Sequence, residues 1–522
     1  MKNIQRSLAR SLTLGASIVT LSACGADEIV SPGTSGDINI NNPAPTPTPT
    51  PTPTPGATLV EPAADCPTIA SSGGLSDLGT ITGPTGTYRA CQLPSLFDQD
   101  DALPFVPGLL YAFSGRVDVG SDQGFDSTGT DVTLSIDPGV ILYAATGQAF
   151  FNVNRGNALD ADGTADAPII FTSRDNVIGV ATDTSDQQWG GITLLGRAPV
   201  SDCGTGGRGT LAVGDNCEQL LEGISENLPF GGDDESDSSG SLSFLQIRFS
   251  GFAIAPGNEL QSLTAGGIGS GTTLSRIMSF NSFDDGLEFF GGNVNIDTTA
   301  VIGARDDSLD VDTGTQGNIQ YALVAQRVTN ESDVGDTSIE LDSPSDDFPT
   351  TATPQTVLNV ANFTFIQNSG TDEVINVRGG AQLNLVNGIF QANGAPCVAY
   401  TESVSATANN GSTYESVVGD CPDPAVIGAS GASDTEAQAA FTGNNLVLDA
   451  DVTFTSGFFF DASSTTAGDP TALSSFFTAT SFIGALESES DTRFQGWTCD
   501  SGTIDFGTGN DCTSLPIRQG EG

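Results

Sequence analysis

Residues 284–312 say the same thing twice, and no other stretch constrains the fold as much. Asp284-Asp285-Gly286-Leu287-Glu288-Phe289-Phe290-Gly291-Gly292 is answered 22 residues later by Asp306-Asp307-Ser308-Leu309-Asp310-Val311-Asp312. Shorter echoes follow at 338–342 and 374–378. The unit holds three short β-rich runs, at 287–289, 294–296 and 300–302. A repeat of that length and content is one coil of a solenoid, whose apolar side only the next coil can cover. The expected fold is all-β, a parallel β-helix with three short strands per rung of about 22 residues. A β-sandwich is the competing all-β reading, but it gives no reason for one pattern to return in register. Runs at 132–136, 192–195, 242–249 and 357–366, set between Gly, Asp, Asn and Ser, suit the same class.

Strand alternation then sorts the side chains. With Leu287/Phe289, Leu309/Val311, Ile339/Leu341 and Ile375/Val377 turned inward, two outward columns arise. One is Glu288–Asp310–Glu340–Asn376 and the other Phe290–Asp312–Asp342–Arg378. Carboxylates one rung apart repel by roughly 1 kcal/mol even in water. Such a column needs raised pKa values, arginines or a cation. Ca²⁺ takes several oxygens in a loose shell, so Asp284, Asp285, Glu288, Asp306, Asp307, Asp310 and Asp312 are its candidate ligands. The acidic loop Asp233, Asp234 and Asp237 is a second candidate. The competing reading of both is solvated turn-forming aspartates.

Composition removes most other chemistry. The chain has 64 acidic against 16 basic residues, a net charge of −48 and no histidine. Its only lysine, Lys2, lies with Arg6 and Arg10 in the first ten residues, and losing these three takes the charge to about −51. No histidine-based triad, lysine Schiff base or His-ligated metal can form. Nucleic acid is an unsuitable partner for so acidic a surface. What remains is carboxylate chemistry with an arginine base: Arg305 with Asp285, Asp306 and Asp307.

Residues 1–23 read as a secretory signal ending in Leu21-Ser22-Ala23-Cys24, which resembles a bacterial lipobox with Cys24 as the lipidated residue. Residues 24–57 form the anchor and a Pro/Thr-rich stalk, whose Thr-Pro run from Pro45 to Pro55 alone reaches roughly 35 Å in polyproline II form. An N-terminal cap with the first strands (58–130), the β-helix (131–490) and a disulfide-containing C-terminal segment (491–522) complete the expected plan. Eight further cysteines fall into close pairs, read as Cys66–Cys91, Cys203–Cys217, Cys397–Cys421 and Cys499–Cys512.

Five stretches carry a family likeness: residues 157–173 (NALDADGTADAPIIFTS), 189–199 (WGGITLLGRAP), 230–242 (FGGDDESDSSGSL), 265–273 (AGGIGSGTT) and the twin motif. On these the chain resembles exported bacterial β-helix lipoproteins of largely unknown function. The resemblance implies a right-handed helix at the outer membrane and supplies no catalytic residues. The expectation is a Ca²⁺-stabilised binder of a glycan or a surface protein. A polysaccharide lyase or hydrolase using carboxylates and Arg305, or a structural spacer, are the alternatives.

Overall fold

The structure is a computed structural model, and it describes residues 59–201, 217–222, 228–255, 258–327, 336–343, 353–368, 372–402, 411–455 and 457–518. Leu287, Phe289, Leu309, Val311, Ile339, Leu341, Ile375 and Val377 all lie in one continuous apolar core, as the alternation requires. Their strands, Leu287–Phe290, Leu309–Asp312, Ile339–Leu341 and Ile375–Val377, pair in parallel and in register. They belong to an 11-stranded sheet whose order follows the chain. At about 4.8 Å per strand such a sheet extends roughly 50 Å. The protein is a parallel β-helix.

The remainder of each rung lies in a second, 16-stranded sheet, as two short strands in the early rungs (Ala158–Asp162 and Ile169–Ser173) and, from Gly240–Arg248 onward, as one longer strand, for example Asn293–Ile302 paired with Gln316–Ala325. Pairing runs to Asp297–Gln320, skips one residue on each side and resumes at Thr299–Ala322. The skipped residues are left-handed, with φ of 69° at Thr298 and 64° at Tyr321. The same corner recurs at Phe244, Arg276, Asn362, Asn387 and Ser416. A left-handed residue turns the chain while the ladder continues on either side. The three expected runs per rung are therefore present, separate in the early rungs and, from Gly240–Arg248 onward, with two of them as halves of one bent strand.

Side chains also join the rungs. Asn318 donates to Asn295, Asn359 to Asn318 and Asn384 to Asn359, at 2.9, 2.9 and 2.7 Å. The backbone N–H of Thr413 donates to Asn384 at 2.8 Å and ends the ladder. Asn359→Ala removes two links, each worth about 1 kcal/mol net. It should lower the unfolding free energy in urea by about 2 kcal/mol; an unchanged midpoint would mean the ladder only decorates the strands.

The rungs do not keep to the expected limits of 131–490. Parallel pairing starts where Gly86–Gln92 meets Leu109–Phe113, below an antiparallel hairpin formed with Ser76–Gly83. Its last strand pair is Tyr414–Gly443 and Glu415–Asn444, continued by a parallel bridge between Val418 and Val447, beside a helix, Asp434–Ala440, begun by a Ser433/Glu436 capping box. Ala437, Ala440 and Phe441 seal the core there.

Beyond residue 450 the chain reverses and runs back over the outer face of the second sheet. Gly468 N–H donates to Asn387 (2.7 Å), Thr478 N–H to Gln320 (2.9 Å), Gln246 to the Trp497 carbonyl (2.6 Å) and Arg518 to the Pro168 carbonyl (2.8 Å). This C-terminal strap lays Phe494, Trp497 and Phe506 over Phe249, Met278, Phe280 and Leu323. The fully buried Arg248 donates to Gln246 and to the carbonyls of Cys512 and Ser514. Burial pushes its pKa down to about 9, with Arg518 adding to the effect.

Disulfides join Cys66–Cys91, Cys397–Cys421 and Cys499–Cys512, as expected. Cys203 of the fourth pair lies outside the described residues, as do Cys24, the leader and the stalk.

Candidate functional site

Strand pairing stacks acids on four successive rungs. Three residues before Leu287, Leu309, Ile339 and Ile375 stand Asp284, Asp306, Asp336 and Asp372; one position later stand Asp285, Asp307, Thr337 and Glu373. Within the strands come Glu288, Asp310, Glu340 and Asn376, then Phe290, Asp312, Asp342 and Arg378. Asp336, Asp372 and Glu373 were not among the sequence candidates, because long insertions separate them from the twin motif. Their signal was present: the same offset from Ile339 and Ile375 finds them.

The turns before the strands are tightly held. Asp285 Oδ1 accepts the N–H of Asp307 (2.9 Å), and Asp307 Oδ1 accepts the N–H of Thr337 (2.8 Å) and its hydroxyl. The inner aspartates thus bind each rung to the next. Gly286 makes the close approach possible: a Cβ there would lie 2.2 Å from Val301 Cγ1 and 2.6 Å from the Ser308 carbonyl.

Two sets of carboxylates converge, Asp284/Asp285/Asp306 and Asp285/Glu288/Asp310, and one oxygen per residue lies within 4.8 Å of the others in its set. Two oxygens bound to one Ca²⁺ at 2.3–2.6 Å are at most about 5 Å apart, so both sets have the dimensions of a Ca²⁺ shell. Asp307 and Asp312 stand outside these sets; Asp312 Oδ1 accepts the N–H of Thr313 at 2.5 Å.

The electrostatics follow from crowding. Burial, then repulsion from Asp306, Glu259 and Glu222, pushes Asp284 up to about 8, opposed by a hydrogen bond from Gln261. Asp285 and Asp307 are buried and raised well above the usual carboxylate range, burial being the main cause and neighbouring acids the second. Asp336 rises to about 7 through burial and the charge of Asp306. Asp306 rises to about 6 through partial desolvation and repulsion from Glu340 and Glu259. Its side chain still reaches solvent, which limits how far that rise carries into stability.

The arginines near the acidic face are engaged in ion pairs. Arg305 lies 3.7 Å from Asp186 and over the ring of Phe283 at 5.1 Å, and Arg327 holds the same Asp186 at 2.8 Å. Arg378 donates to Glu340 at 2.5 Å, with Asp342 at 3.7 Å, so it neutralises the far end of the columns.

The second candidate loop does not converge on a cation. Asp237 is buried and clamps Arg197, accepting from its backbone N–H (2.8 Å), Nε (2.9 Å) and NH2 (2.5 Å). Asp234 Oδ1 closes a turn with the N–H and hydroxyl of Ser236 at 3.0 and 2.7 Å, and Asp233 is exposed. Among the described residues neither carboxylate set includes these three.

Phe290 and Trp189 are not surface platforms. Phe290 packs against Phe230 in a satellite cluster, and Trp189 sits in the core with its Nε1–H on the Arg248 carbonyl.

A family model described as a pectate-lyase-like beta helix domain matches residues 124–418, more than half of the chain. The chain belongs to this pectate-lyase-like β-helix family. The family match spans all four acidic rungs and ends in the strand Thr413–Gly419, before the strap begins. No curated protein and no solved structure matches the chain.

Proposed function

We propose that this pectate-lyase-like β-helix is a Ca²⁺-stabilised binding module that holds a glycan or a surface protein without turning it over. The single observation that carries the calcium is the convergence of Asp284, Asp285, Glu288, Asp306 and Asp310 in two sets of Ca²⁺ dimensions. Hard carboxylate oxygens are the donors this ion prefers, and its charge would relieve the repulsion that raises Asp284 and Asp285. The lipobox ending at Cys24 and the Thr-Pro stalk support anchoring to the outer membrane by lipid, with the β-helix held away from the surface. This is the setting of the exported lipoproteins that the sequence motifs resemble.

The test is calorimetric titration of chelator-treated protein with CaCl₂ at pH 8. A saturable site with Kd of about 10⁻⁴–10⁻³ M, the range of extracellular modules, is expected. Absence of binding up to 10 mM, roughly ten times the upper end of that range, would end the calcium reading.

One observation favours a second reading, a glycoside hydrolase on the same face. Asp284 and Asp306 belong to one converging carboxylate set, and burial together with neighbouring acids raises both, so the set as a whole holds on to a proton that a general acid needs. Neutral and acidic polysaccharides incubated with the protein should give neither new reducing ends nor unsaturated products if it only binds. Release of reducing ends that Asp284→Asn abolishes would establish the enzyme instead.

A further inference from the structure

Two passages of the strap, 459–467 and 481–487, enclose a cleft of about 430 Å³, within the usual range for ligand sites. Phe459, Phe460 and Phe482 line it, each half-buried. Phe482 is fixed from behind by stacking on Tyr321, with ring centroids 6.4 Å apart and planes 14° from parallel. Tyr321 in turn carries the Arg493 guanidinium 3.6 Å from its ring centre, so the platform is braced through three side chains. The rim bears the exposed carboxylates of Asp461 and Glu487 and the hydroxyl of Ser481. Asp461 is held in place by the Ser463 N–H at 3.0 Å.

A ligand for this cleft must offer a flat C–H face to the rings and hydroxyl donors to the rim. It must carry no negative charge, because Asp461, Glu487 and a chain of net charge −48 would repel it. Pyranose rings meet all three demands. A uronate polymer meets the first two and fails the third. We propose that this cleft is a subsite for uncharged pyranose glycans, with the three phenylalanines as its stacking floor and Asp461 and Glu487 as acceptors for sugar hydroxyls. The proposal rests on the glycan-binding reading above and gives it a place on the strap, outside the acidic face.

The test uses the full chain with CaCl₂ present and ligand-observed NMR. The probes are maltohexaose, cellohexaose, mannohexaose and xylohexaose, with polygalacturonate and a basic decapeptide as charged comparisons. At least one neutral hexasaccharide should bind. Phe459→Leu and Phe482→Leu keep apolar volume but remove the ring face, and each should weaken that binding about tenfold while the melting temperature moves by only a few degrees. Asp461→Asn should weaken it less, and Asp285→Asn should leave it unchanged. Sugar binding untouched by the phenylalanine variants, or preferred binding of polygalacturonate or the peptide, would overturn the subsite. Loss in Asp285→Asn alone would move the sugar to the acidic face, so that the subsite falls and the glycan reading stands. If no hexasaccharide binds, both fall.

Discussion

A chain ended after residue 450 should fail to give a soluble β-helix that melts cooperatively. The strap covers Phe249, Met278, Phe280, Ile302 and Leu323 on the outer face of the second sheet, all fully buried. Exposing five such side chains costs about 7–15 kcal/mol, which is as large as the whole stability of an ordinary domain. Arg248 would also lose the Cys512 and Ser514 carbonyls that solvate its charge. A gentler variant, Trp497→Ala, leaves the strap attached and should cost about 3–5 kcal/mol, read by calorimetry. If the shortened chain stays soluble and melts within a few degrees of the intact one, the strap is dispensable and this account of the fold is wrong.

The strap also orders events in folding. It joins Gln246 to Trp497 and Asn176 to Cys512, contacts 251 and 336 residues apart in sequence. Local stacking of rungs can begin early, but the first rungs gain their outer cover only when the end of the chain arrives. Contacts this distant form slowly, since long loops must close before they are rewarded.

How legible all this was depends on what each feature uses to signal itself. The rungs were legible because Leu287 and Leu309 must fall in register to fill one core, so the pattern repeats in the letters. The bent second strand was not, because its corner is made by Thr298, Tyr321 and Asn362 in a left-handed conformation that ordinarily advertises itself with glycine. The strap was invisible for a different reason. It has no partner in its own neighbourhood, so its phenylalanines follow no period, and only the rungs hundreds of residues earlier explain them. At the acidic face, the twin aspartates pointed to carboxylates that do converge, while Asp336 and Asp372 were masked by insertions that break the spacing without breaking the register. At the loop Asp233–Asp237 the letters alone could not tell that Asp237 faces Arg197, because an acidic run reads the same whether it meets a cation or an arginine.

The acidic face makes the stability of the protein depend on pH in a direction opposite to the usual one. A carboxyl whose pKa is raised by folding favours its protonated form in the fold. Its stabilising contribution is complete below the unfolded value, near 4, and is lost as pH rises through the folded value. With Asp306 near 6, Asp336 near 7 and Asp284 near 8, that window runs from about pH 4 to about pH 9. In chelator, the melting temperature should therefore fall steadily from pH 5 to pH 8.5. Calcium binds only the ionised carboxylates, so its effect should grow through the same window. At a free concentration one hundred times Kd it adds about 2.7 kcal/mol per site. The melting curve in calcium should then be nearly flat where the chelated one descends. Asp285→Asn separates titration from architecture, because the amide oxygen can still accept the Asp307 N–H while the group whose pKa folding raises is gone. It should raise the melting temperature in chelator at pH 8 and reduce the gain from calcium, two changes of opposite sign from one substitution. If the variant instead melts lower in chelator and responds to calcium like the parent, Asp285 only rivets the rungs and the cation, if it binds, is held by other residues.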